Sequence, residues 1–165
     1  WTQAQAFCAW AGGELPTEAQ WELAARGRCD ENGGLAGCAT KMRVYPWGND
    51  APVCGKHGVF KTAAGAGCGK NLTWAVGTGS ASGRGPYGQV DLMGNLWERV
   101  WDYWDAGFYA KGGSQVPDPK NEVPNQYRII RGFSFYDGMG GAGARAAGTP
   151  SAVASHSGAR CIKAY

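Results

Sequence analysis

Residues 88–104 read GQVDLMGNLWERVWDYW. The oxygen-bearing side chains of Asp91, Asn95, Glu98 and Asp102 are interleaved there with Trp97, Trp101 and Trp104, and with Gly88 and Gly94. No 3.6-residue apolar period survives this mixture, so the stretch is not one amphipathic helix. It reads as a folded loop held by large aromatic anchors. Its oxygens are then available to a cation.

Working outward, a chain of 165 residues is one domain's worth and can bury a core. Glycine occupies 28 positions, well above the roughly 7% of an average protein and without a collagen period. This composition predicts long irregular loops and little regular secondary structure. Eight tryptophans and seven tyrosines supply the core area that aliphatic residues do not, and their polar atoms anchor loops. A net charge of +3, scattered along the chain, does not point to nucleic acid. No apolar run approaches the ~20 residues needed to cross a bilayer. The six cysteines contain no Cys-x-x-Cys pair, which argues against a zinc ribbon or a thioredoxin-like motif. An even count in a Gly-rich domain points to disulfides, and so to an extracytoplasmic chain, secreted or periplasmic.

Local signals place a helix over 3–11, stopped by Gly12 and Gly13. A second begins after Thr17, its N-cap. Gln20 completes the capping box, Pro16 and Trp21 are placed for a hydrophobic staple, and Gly27 ends the helix. Residues 28–86 read as loop, with Val76 on a short strand. Asn71-Leu72-Thr73 has the form of a glycosylation acceptor, meaningful only in a secreted eukaryotic protein. Residues 106–126 form a further surface loop, 127–130 a strand, and 159–163 the closing strand. No internal repeat is present.

Four blocks occur in a fixed order: LPTEAQWELAARG at 15–27, YPWGN at 45–49, the 88–104 stretch, and Arg131-Gly132 followed by Gly158-Ala159-Arg160-Cys161. Together they resemble the formylglycine-generating enzyme, or sulfatase-modifying-factor, family over residues 7–161. The resemblance implies an α+β fold, a variant of the C-type lectin fold, irregular and loop-rich with a small antiparallel sheet and two short helices. It also implies one domain over 1–165 that lacks its N-terminal strands, and a disulfide joining Cys8 to Cys161. The remaining cysteines pair most simply as Cys29 with Cys38 and Cys54 with Cys68, each clamping a Gly-rich insertion. Free buried thiols are the alternative.

The resemblance further implies one structural calcium ion, bound by the side chains of Asp91 and Glu98 and the carbonyls of Gly94 and Leu96. The plainer alternative for these residues is a cap and a surface salt bridge from Glu98 to Arg99 or a nearby lysine. A second calcium site of the family falls in 54–68, where His57 stands and no acidic residue occurs. A neutral imidazole is a poor ligand for a hard cation, so that site is expected to be lost.

Enzymes of the family oxidise a substrate cysteine with copper held by two cysteines just after the block matched here by 131–134. Cu(I) is soft and takes thiolates. This sequence has no cysteine between Cys68 and Cys161, and Met139 is a lone thioether. A related branch uses iron held by three histidines; here there are two, His57 and His156. A triad of Ser155, His156 and Asp137 lacks a nucleophile-elbow motif.

The segments 133–148 and 151–157 combine Gly, Ala, Ser and Tyr with isolated Phe, Asp and His, a chemistry shared with antigen-binding loops. The expected function is therefore a non-catalytic module that binds a protein, peptide or small extracellular ligand in a shallow groove formed by Phe133, Phe135, Tyr136, Asp137 and His156. An ordinary Gly/Ala-rich loop is the bland alternative for these segments. The rival functions are a divergent oxidoreductase acting on a thiol and a variable receptor of a diversity-generating retroelement.

Overall fold

A computed structural model of the chain describes residues 1–28, 42–78 and 81–163. Among these are two α-helices, α1 (Thr2–Trp10) and α2 (Glu18–Arg26), and four strands, β1 (Trp97–Tyr103), β2 (Arg128–Arg131), β3 (Ala146–Gly148) and β4 (Ser157–Ala159). The rest is turns, bends and two short 3-10 segments.

Both helices obey their local signals. After α1, Gly12 adopts φ +77°, a left-handed conformation that costs glycine little. Its N–H reaches the Ala9 carbonyl at 3.1 Å, and the Gly13 N–H reaches Cys8 at 2.8 Å. At the start of α2 the capping box is complete: the Gln20 N–H donates to the Thr17 hydroxyl at 3.2 Å, and the Thr17 N–H donates to Gln20 Oε1 at 2.8 Å. These bonds satisfy donors that a helix start otherwise leaves open.

The chain divides into two compact units. The first comprises Trp1–Trp21, Trp97–Arg131 and Arg145–Tyr165 and contains the sheet, in the order β3-β2-β1-β4. β2 runs antiparallel to both β1 and β3, with Arg99 opposite Ile130. β4 runs parallel to β1, with Trp97 opposite Ser157. The sheet is thus mixed where an antiparallel one was expected. The closing strand also falls at 157–159 and not at 159–163. Cys161 is bonded to Cys8, and Ile162 beyond it makes an isolated antiparallel bridge to Glu14.

The larger correction concerns 97–103. This half of the signature stretch is no loop; it is an inner strand of the sheet, bonded on both sides. On one face it carries Glu98, Val100 and Asp102, all buried. The other face carries Trp97, Arg99, Trp101 and Tyr103.

The second unit, Glu22–Leu96 with Gly132–Ala144, contains no strand among its described residues. Its core gathers Val59, Ala66 and Phe135 with Trp74 and Cys68. Cys68 is joined to Cys54, closing the expected clamp. Backbone bonds tie the two segments of this unit together: Phe135 N–H to Asn95 at 2.9 Å, Gly67 N–H to Phe135 at 2.8 Å, and Lys61 N–H to Asp137 at 2.8 Å. Val76 is 84% exposed in a turn and not on a strand. The pairing of Cys29 with Cys38 lies outside the described residues.

Candidate functional site

Glu98 sits on the buried face of β1 and is 7% exposed. Arg160 grips its carboxylate in a fork, Nη2 to Oε1 at 2.7 Å and Nε to Oε2 at 3.0 Å, while the Trp21 indole N–H donates to Oε2 at 2.6 Å. Bidentate charge-assisted bonds of this kind are strong and directional. The salt-bridge partner is therefore Arg160, neither Arg99 nor a lysine. Arg99 is the next residue along the strand and points to the opposite face.

Asp91, Gly94 and Leu96 belong to the second unit. Asp91 has φ +55°, and its Oδ2 accepts the Gly77 N–H at 2.5 Å. Gly94 has φ +83°, and a Cβ there would meet the Val59 carbonyl oxygen at 2.6 Å, so no other residue fits. The Gly94 carbonyl accepts the Leu96 N–H at 2.8 Å. Asn95, between them, was not among the expected donors and proves to be the hub of this turn. Its side chain bonds the Trp74 N–H and carbonyl at 3.0 and 3.1 Å, and its backbone reaches Val59 and Phe135. The four expected calcium donors are all hard oxygens, the class calcium takes, and carboxylates and carbonyls keep a lone pair after one hydrogen bond. The donor chemistry fits the ion.

The expected groove residues have different fates. Phe133 adopts φ +62°, and its ring lies over Gly140, where a Cβ would meet it at 2.5 Å. Phe135 is only 5% exposed and belongs to the core, which removes it from any groove wall. Asp137 closes a turn: its Oδ2 accepts both the Ser134 hydroxyl and the Ser134 N–H, the latter at 3.1 Å. Tyr136 is 61% exposed, edge-on to Phe135. His156 belongs to the first unit; its carbonyl accepts the Trp97 N–H at 2.9 Å, and its residue borders a cavity there.

His57 is stacked on Trp47 with ring centroids 4.8 Å apart, and Trp47 on Tyr45 at 4.9 Å. Its Nδ1 accepts the Val53 N–H at 3.1 Å. Burial, then the Lys56 charge, lowers its pKa and keeps the ring neutral. This imidazole is a packing element.

A buried charge network in the first unit went unnoticed in the sequence. Glu18, 1% exposed, receives Arg131 Nη1 at 2.7 Å, Arg145 Nε at 2.7 Å and Arg145 Nη2 at 2.8 Å. Arg131 is wholly buried beneath the Trp21 ring, 4.9 Å from its centroid. Burial works to lower the Arg145 pKa, but its bond to Glu18 and that residue's charge outweigh burial and raise it. Tyr109 is pushed up by burial and by the charges of Glu18 and Asp102. Burial also pushes the Asp102 carboxyl up, although it accepts the N–H groups of Glu18 and Asn121 at 2.7 and 2.8 Å. Glu18 and Arg131 both lie in the quoted blocks, which was the available signal. Arg145, in a Gly/Ala run, offered none.

The sulfatase-modifying factor enzyme 1-like domain model matches residues 1–165, so the chain belongs to that family. A formylglycine-generating enzyme of Thermomonospora curvata is 33% identical over 173 residues, covering 98% of this chain and 52% of its own length. A mouse protein named inactive C-alpha-formylglycine-generating enzyme 2 is 32% identical over 185 residues, covering 98% and 46%. The chain thus spans about half the length of these relatives. Its fold is shared with PvdO from Pseudomonas aeruginosa, at a TM-score of 0.66 and 22% identity, over 96% of this chain and 57% of that one.

Proposed function

We propose that this member of the sulfatase-modifying-factor family is a non-catalytic, extracytoplasmic binding module in which Asp91, Gly94, Leu96 and Glu98 hold a structural calcium ion. One observation carries the reading. The segment after Arg131-Gly132, where the family's enzymes keep their copper thiolates, reads FSFYDGMGGA at 133–142 and has no cysteine. In place of a soft metal pair it folds into the Ser134–Asp137 turn, with Phe135 in the core and Tyr136 at the surface. Tyrosine among small residues is an efficient contact side chain, large and rigid with a polar tip. Two disulfides support an oxidising compartment. No helix of the described residues is long and apolar enough to cross a membrane.

The identity to the Thermomonospora enzyme keeps one rival, a divergent oxidoreductase acting on a thiol. Incubation with copper and a Cys-x-Pro-x-Arg peptide, followed by mass spectrometry, separates the two. The peptide cysteine is expected to survive unchanged. Its conversion to formylglycine would overturn the non-catalytic reading.

A further inference from the structure

The sheet face carrying Trp97, Arg99, Ile130 and Ser157 borders a cavity of about 320 Å³, also lined by Tyr127 and His156. Arg99 is 6% exposed. Its Nη1 donates to the Thr149 carbonyl at 3.1 Å and its Nη2 to Ala152 at 2.7 Å. A guanidinium has five N–H groups, so these two bonds leave most of its donors unused. Among the described residues no carboxylate meets it, whereas Arg131, Arg145 and Arg160 each hold a glutamate.

A charge withdrawn from water without a counter-ion is costly, and burial accordingly lowers the Arg99 pKa with no acidic neighbour to offset it. In the same cavity lining, the Ser157 hydroxyl is buried without a hydrogen-bond partner. An unpartnered hydroxyl and a guanidinium with no carboxylate among the described residues, with aromatic and aliphatic side chains around them, form the pattern of a small-molecule pocket.

We propose that this cavity binds a small organic carboxylate. The unused Arg99 N–H groups and the Ser157 hydroxyl hold its anionic end, and Trp97, Tyr127 and Ile130 enclose an apolar or aromatic body. The planar guanidinium fork matches a carboxylate. A single buried cation with largely apolar walls suits a monoanion better than a phosphate dianion. The site uses none of the residues 133–137, so it stands or falls independently of the reading above.

The test titrates the chain with phenylacetate and, separately, with its neutral isostere phenylacetamide. Binding is followed through the NMR signals of the Trp97 indole N–H and the Arg99 Nε–H. Phenylacetate should give saturable shifts of both signals and phenylacetamide none. Arg99→Lys keeps the charge but loses the fork, and should weaken binding about tenfold, the equivalent of one charged hydrogen bond. Ser157→Ala removes an unpartnered hydroxyl, so it should fold at least as stably as the parent while binding several-fold more weakly. Absence of saturable shifts with phenylacetate, equal binding of the amide, or undiminished binding by both variants overturns the proposal.

Discussion

Replacing Glu18 with glutamine tests whether the buried network holds the first unit together. The substitution keeps the side chain's volume and removes its charge. It also turns one acceptor into an amide donor facing guanidinium N–H groups. Arg131, with 0% of its surface exposed, then loses the Glu18 carboxylate without regaining water. Removing one partner of such a buried pair costs about 3–5 kcal/mol. The control is Glu22→Gln, which breaks the half-buried Arg26 pair at 2.7 Å along α2, where i,i+4 helix pairs contribute only about 0.3–0.5 kcal/mol. With a urea m-value of about 2 kcal/mol/M, Glu18→Gln should lower the unfolding midpoint by about 1.5–2.5 M and the control by about 0.2 M. Tryptophan fluorescence reports the transition, since Trp21 is 1% exposed beside Glu98 and Arg131. A Glu18→Gln midpoint no lower than the control's would refute the reasoning. Replacing Glu18, Arg131 and Arg145 together by methionine should recover most of the loss, because the carboxylate and both of its guanidinium partners are removed together.

The Cys8–Cys161 disulfide closes a loop with a sequence separation of 153, and a Cys8→Ala/Cys161→Ala variant should lose about 4–5 kcal/mol in denaturant unfolding. A loss comparable to a surface substitution would count against that value. His57 has a depressed folded pKa, so below about pH 6.5 the unfolded chain takes up a proton that the folded ring refuses. Stability should therefore fall as pH drops through that value, and His57→Asn should flatten the fall between pH 7.5 and 5.5 in thermal melts. Calcium in millimolar excess should raise the melting temperature over EDTA, and Glu98→Ala should abolish the rise. An equal response from that variant would place the ion elsewhere.

The features legible in the sequence are those written locally. Thr17 and Gln20 lie three residues apart and announce α2 by side chains that bond each other's backbone. The Gly12 turn that ends α1 is equally local. β1 is different. Its core-facing positions, Glu98, Val100 and Asp102, break the apolar alternation that identifies a strand, so the segment reads as loop. Their burial is tolerable only because partners arrive from far along the chain: Arg160 for Glu98, and the N–H groups of Glu18 and Asn121 for Asp102. No window of sequence contains both halves of those pairs. Phe135 misleads for a related reason. In a run of Gly, Ser and Tyr it looks like an exposed contact, yet its N–H reaches the Asn95 carbonyl and its ring joins Val59 and Ala66.

β1 also shows how buried charge separates structural from functional residues. Glu98 and Asp102, on one face, have their bonds supplied by the fold, and each explains why a distant segment stays where it is. Arg99, between them in sequence and on the other face, is buried to a similar degree but receives only two carbonyls. A partly buried guanidinium could recover the missing bonds by turning toward water. At 6% exposure, with Thr149 and Ala152 holding both terminal nitrogens, Arg99 has little freedom to do so. The carboxylate proposed for this cavity would supply the neutralising charge. On that proposal the sheet face, and not the glycine-rich segment that the composition first drew attention to, would carry the more specific chemistry of this chain.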